Sequence, residues 1–180
     1  PNISPSLIDG FCASVEVCGS DLGKSGIQYG KALADTDFHG SMVSGVAAGR
    51  ATSVALGGVA PKANVISINV KNGNNDAIIR AINWILSVKD KYKIAAVNLS
   101  AGSLMPRPRT SGNPCDFFGR GDQQISDGIA ALYAAGIPFV IASGNDFQVN
   151  KVNFPSCIPQ AITVGSVVSF VAPDGLRFGN

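Results

Sequence analysis

The sequence is short of the groups that most functions need. Its 180 residues hold one histidine and one tryptophan, only 14% are charged, and the formal net charge is +2. With so small a charge and no run of lysine and arginine, the chain lacks the focused basic patch that binds nucleic acid. No apolar run is long enough to span a bilayer, so no membrane partner is expected. The chain opens on Pro1-Asn2-Ile3-Ser4-Pro5, with no signal peptide in view, as a mature or truncated N-terminus would. There is no C-x-x-C pair, and with a single histidine a zinc site is not expected.

What is abundant is apolar surface and glycine. The chain is 46% hydrophobic and carries 21 glycines. That composition describes one globular domain, residues 1–180, with a large core and many tight turns. Of the four cysteines, Cys12 and Cys18 are close in sequence, Cys115 lies in a Gly/Pro-rich loop and Cys157 stands between two prolines. Pairs 12–18 and 115–157 are expected, and with them an oxidising, extracellular compartment. Four free thiols in a reducing compartment is the alternative.

The order of elements reads as strands alternating with helices. Strands are predicted over Leu7 to Val17, Ala63 to Val70, Ile94 to Leu99, Ile137 to Ala142 and Ala161 to Val168. Helices are predicted over Gly40 to Ala51, after Asp76 as cap with Ile78, Ile79, Ile82, Ile85 and Leu86 at helical spacing, and over Ile125 to Ala135 with Gly136 as stop. The alternation argues for an α/β fold, a mostly parallel sheet with helices on both faces. In such sheets ligands bind beyond the carboxyl ends of the strands. Two strands end there in polar, glycine-containing tails, Ser100-Ala101-Gly102 and Ser143-Gly144-Asn145. Gly19 to Ser25 nearly matches a phosphate-binding loop, but Cys18 stands where the first glycine belongs, so a plain surface loop is expected.

His39 opens the stretch His39-Gly40-Ser41-Met42-Val43-Ser44-Gly45, with Ser41 as the expected N-cap of the helix that follows. Histidine titrates near neutral pH and is suited to moving protons. Taken by itself, a lone histidine is more often structural than catalytic. Asn145, taken by itself, reads as a turn residue in the left-handed region, which asparagine tolerates.

Five segments in order change that weighting. They are His39 to Gly45, Gly58-Val59-Ala60-Pro61, Val97 to Gly102, Val140 to Asn145, and Phe154-Pro155-Ser156 with Ile162 to Ser166. Together they resemble the subtilisin-like serine proteases over about residues 37–168. The resemblance implies that His39 is the general base and Asn145 the side-chain donor of the oxyanion hole. It implies that Ser100, Ala101 and Gly102 pair their backbone with an extended substrate, and that Ala142, Ser143 and Gly144 line the side of the primary specificity pocket. The placement of Cys115 and Cys157 is similar to that in secreted bacterial members with a disulfide between these positions. The family often binds calcium in loops. No acidic cluster specifies a site here, so no cofactor is expected beyond structural calcium.

The sequence also departs from the family. No G-T-S-[MA]-[AS]-x-P motif occurs to supply the nucleophile, and Met42 replaces a second histidine. Asp9 is the candidate triad aspartate at a suitable distance, but Gly10 follows it directly and Pro5 precedes it. The chain is therefore expected to begin just after the aspartate's segment and to be the middle part of a longer protein. The expected function is a serine endopeptidase acting through an acyl-enzyme. Its partners are a peptide or protein substrate and the remainder of its own polypeptide, intact or cleaved. The alternative is a catalytically inactive subtilase-like domain that binds peptides or proteins.

Overall fold

The computed structural model describes residues 7–13, 28–29, 38–70, 74–102, 115, 120–145 and 152–166. The near-match to a phosphate-binding loop at 19–25, together with Val15, Val17, Cys18, Asp146 and Val168, lies outside the described residues. The chain divides into two compact units, Pro1–Ala81 and Ile82–Asn180.

In the first unit, strand β1 spans Leu7–Cys12, β2 spans Gln28–Tyr29 and β3 spans Val65–Asn69. They form a three-stranded sheet in the order β2-β1-β3. β1 runs antiparallel to β2 and parallel to β3, with Phe11 opposite Ile68 and Cys12 opposite Asn69. β1 ends earlier than its apolar pattern predicts. Beyond Cys12 the Ala13 N–H still donates to the Asn69 carbonyl (2.9 Å), but its own carbonyl accepts Arg80 Nε (2.7 Å). That side chain ties the end of the strand to a helix. Phe11, Cys12 and Ala13 are buried.

Helix α1 spans His39–Ala48 and α2 spans Asn75–Tyr92. The cap of α2 is Asn74 rather than Asp76. Its Oδ1 accepts the Ala77 N–H at 2.8 Å, satisfying one of the orphan donors at the helix start. Asp76 instead lies in the first turn, where its charge complements the helix dipole. Ala77, Ile78, Ala81, Ile82 and Ile85 form the buried stripe, so two alanines stand where Ile79 and Leu86 were expected. Those two are half-buried, as is Trp84.

In the second unit, β4 (Val97–Leu99), β5 (Phe139–Ala142) and β6 (Ala161–Val164) form a parallel sheet in chain order. Val97 pairs with Phe139 and Phe139 with Ala161. Helix α3 (Arg120–Ala134) fills the crossover between β4 and β5. It starts five residues before the predicted Ile125, because its first turn is polar and carries no apolar period. Its buried side is Asp122, Ile125, Ile129 and Leu132. At its end Gly136 (φ 74) takes the left-handed conformation. The Gly136 and Ile137 amides return to the Tyr133 and Leu132 carbonyls, closing the last turn. The expected α/β character holds, with parallel strands and helices between them. The described strands form two three-stranded sheets, one in each unit.

Replacing Asn74 by Ala should lower stability by about 1 kcal/mol, read as a lower thermal midpoint, while Asp76→Ala costs less. Equal effects would contradict the assignment of Asn74 as the cap.

Candidate active site

His39 is the first residue of α1 and is exposed. The helix starts two residues before the expected cap, Ser41. Phe38 stands in the left-handed region (φ 61) and turns the chain so that the Met42 N–H reaches the Phe38 carbonyl at 2.9 Å. Phe38 makes no side-chain cap bond. His39 therefore sits at the mouth of the helix, and Ser41 lies within its first turn.

The other end of α1 shows why Gly58-Val59-Ala60 belongs with the histidine segment. The last carbonyls of a helix have no partner inside it. Here the Gly58 N–H donates to Gly49 O (2.7 Å), Val59 N–H to Val46 O (2.9 Å) and Ala60 N–H to Ala47 O (2.8 Å). The returning segment lies so close that a Cβ on Gly58 would be 2.6 Å from Gly45 O and 2.7 Å from Val46 O. Glycine is required here for close approach, not for a turn. The small residues of α1 and the returning glycine thus fix the helix that carries His39.

The second unit brings two of the predicted segments together. β4 and β5 are paired, so the tails Ser100–Gly102 and Ser143–Asn145 leave neighbouring carboxyl ends, one strand spacing (~4.8 Å) apart. Ala142, the last residue of β5, and Asn145 are exposed; Ser100, Ala101 and Ser143 are half-buried. The Ser143 N–H donates to Val164 O, and its carbonyl accepts the Asn153 N–H, both at 2.9 Å. The left-handed position in this tail is Gly144 (φ 114), not Asn145.

Behind the tails runs a buried turn, Asn153 to Ile158. The Ser156 hydroxyl and the Cys157 N–H both donate to the Asn153 carbonyl, at 2.6 and 3.2 Å. Cys157 is bonded to Cys115, with Cα atoms 5.4 Å apart. Cys12 is also disulfide-bonded; Cys18, its expected partner, lies outside the described residues. Asn153 was not singled out by sequence reasoning. The signal available was Gly144, which leaves room for its carboxamide.

Asp9 is the third residue of β1, half-buried, and its Oδ1 accepts the Gly10 N–H at 2.8 Å. It lies beside an irregularity in the β1–β3 register. Sites in parallel sheets form at carboxyl ends of strands, and Asp9 is near the amino end of its own. Among the described residues no group of three or more His, Cys, Asp or Glu could hold a metal.

Gly58→Ala should lower stability by about 2–3 kcal/mol, because backbone rather than a flexible side chain must yield. A urea midpoint unchanged by this substitution would show that the 58–60 segment does not cap α1.

Comparison with known proteins bears on the family and the fold. The Subtilase family pattern matches residues 13–174. The minor extracellular protease Epr of Bacillus subtilis (strain 168) is 25% identical over 169 residues, covering 92% of this chain and 23% of the relative. Subtilisin-like protease 2 of Trichophyton verrucosum is 31% identical over 135 residues, covering 72% of this chain and 27% of that protein. Among solved structures, S41 psychrophilic protease superposes with a TM-score of 0.71 at 19% identity, over 100% of this chain and 52% of its own. Sphericase does so with a TM-score of 0.68 at 18% identity, over 100% of this chain and 53% of its own. The chain thus spans about a quarter of the length of these two curated relatives and about half of these solved structures. No described helix is long and apolar enough to cross a membrane. With its family pattern covering residues 13–174, the chain belongs to the subtilase family.

Proposed function

We propose that this chain is part of a secreted subtilisin-like serine endopeptidase domain. His39 is the general base, taking the proton from a serine hydroxyl as the oxygen attacks the scissile carbonyl, then giving it to the leaving amine. Water then attacks the acyl-enzyme, with His39 again accepting a proton, and releases the acid. Asn145 donates to the oxyanion that develops in each tetrahedral intermediate. Ser100–Gly102 adds a backbone edge for an extended peptide, and Ala142–Gly144 forms the side of the pocket for its principal side chain. The serine and the aspartate come from the remainder of the polypeptide, continuous or cleaved.

The observation that carries this reading is the family pattern over residues 13–174, which includes the exposed His39 at a helix start and two tails at paired strand ends. A second observation bears on the remainder. Phe38, Met42 and Val46 recur every four residues along α1 and are all exposed, and Val59, hydrogen-bonded to Val46, is 89% exposed. An apolar row of this kind marks a surface that another segment covers. The solved structures above have about as much chain again to supply such a segment.

The test is labelling of the native protein with a fluorophosphonate probe, followed by mass analysis. We expect the label on a serine outside residues 1–180, in the same polypeptide or in a fragment that co-purifies. In that protein His39→Ala should lower kcat by about 10⁴-fold or more. Asn145→Ala should lower it by about 10²–10³-fold with little change in KM, the range measured for one such donor in a subtilisin. An unlabelled protein whose intact mass equals these 180 residues would instead support an inactive, peptide-binding domain.

A further inference from the structure

The tail after β5 is held at Ser143, and both backbone groups of that residue are engaged. Its N–H donates to Val164 O in β6 and its carbonyl accepts the Asn153 N–H, each at 2.9 Å. From Asn153 the bonding continues. The Asn153 carbonyl accepts the Ser156 hydroxyl, and the Ser156 carbonyl accepts the Thr163 hydroxyl. Thr163 directly precedes Val164 in β6, so these bonds close a ring that starts and ends at Ser143. Two of its donors are side-chain hydroxyls, from Ser156 and Thr163. Ser156 is 2% exposed, so its carbonyl is cut off from water and needs a donor from the protein. Thr163 supplies that donor. Backbone pairing sets Thr163 opposite Ile141 and Val164 opposite Ala142, but it does not reach the turn at 153–158. The Ala161 N–H, which donates to Ile158 O, holds only the end of the turn that runs into the strand. The Thr163 hydroxyl reaches back seven residues and ties the middle of the turn to β6.

From this ring we infer that Thr163 is a positioning residue for specificity. Its hydroxyl acts through Ser156 and Asn153 to fix Ser143, and with it the pocket side that Ala142–Gly144 forms under the proposed function. The ring belongs to the second unit whatever the reaction; its meaning for substrate rests on the protease reading above. A wall held at both backbone groups of its middle residue does not shift to suit different side chains. The substrates it fits are therefore peptides with a narrow range of principal side-chain sizes.

Amide hydrogen exchange on the full-length native protein tests the ring without reference to activity. Thr163→Val keeps the shape of the side chain and removes the hydroxyl. It should raise exchange at the Asn153 and Ser143 amides about 5-fold or more, while Thr163→Ser, which keeps the donor, stays within about 2-fold of wild type. Ser156→Ala should act in the same direction, and adding it to Thr163→Val should change little, because both break one ring. Retained protection at Ile129–Leu132 in α3 reports that each variant is folded. Where Thr163→Val fails that check, Thr163→Ser and Thr163→Ala carry the test, since they differ by the hydroxyl alone. The inference is overturned if removing the hydroxyl leaves both amides as protected as in wild type, or if Thr163→Ser loosens them equally. In an active enzyme, the kcat/KM ratio between the best principal side chain and one differing by a methylene should fall about 10-fold in Thr163→Val, mostly through KM, and recover in Thr163→Ser. An equal loss of kcat/KM for both substrates would overturn the role in specificity. If the wild-type protein cleaves no peptide, the protease reading falls and the exchange result still decides the ring.

Discussion

Backbone groups at the ends of elements have to be satisfied, and that constraint shapes each of the two units. The carbonyls of the last turn of α1 face no partner in their own helix. Three consecutive amides, from Gly58, Val59 and Ala60, meet carbonyls at this end. The closeness that these bonds demand leaves no room for a side chain on Gly58. A helix fixed in this way at its carboxyl end presents its first residue, His39, in a defined place. The capping of α1 is thus the local cause of a motif that would otherwise look like an unrelated glycine loop.

The same constraint acts differently in the second unit. Parallel pairing of β4, β5 and β6 satisfies the strands but stops at their carboxyl ends. The 143–145 tail continues by bonding to Val164 on one side and Asn153 on the other. A buried turn crosslinked through Cys157 and Cys115 provides the fixed body against which the tail rests. If this tail binds a peptide as proposed, such support helps, because a geometry held before binding loses less freedom when the peptide arrives.

The exposed row on α1 places the chain in a larger setting. Large apolar side chains at four-residue spacing normally face a core. Here Phe38, Met42 and Val46 are exposed, while the small residues Gly45 and Ala48 are buried. Together with the half-length coverage of the related solved structures, this row supports the proposal that further chain completes the domain around His39.

Much of this protein was legible in its sequence because the signals were local. The isoleucines of α2 at helical spacing, the stop at Gly136, the short apolar strands and the five ordered motifs all depend on neighbours within a few residues. Element ends were less legible, since they depend on which group satisfies the terminal amides. Asn74, not Asp76, caps α2; Phe38, not Ser41, precedes α1; and Arg80 meets the end of β1 from 67 residues away. The sequence by itself determined the α/β class and the family. Only the tertiary structure decided that the tails after β4 and β5 leave neighbouring strand ends and that Asn153 packs against the second of them. Strand register and buried contact join residues that no periodic pattern relates.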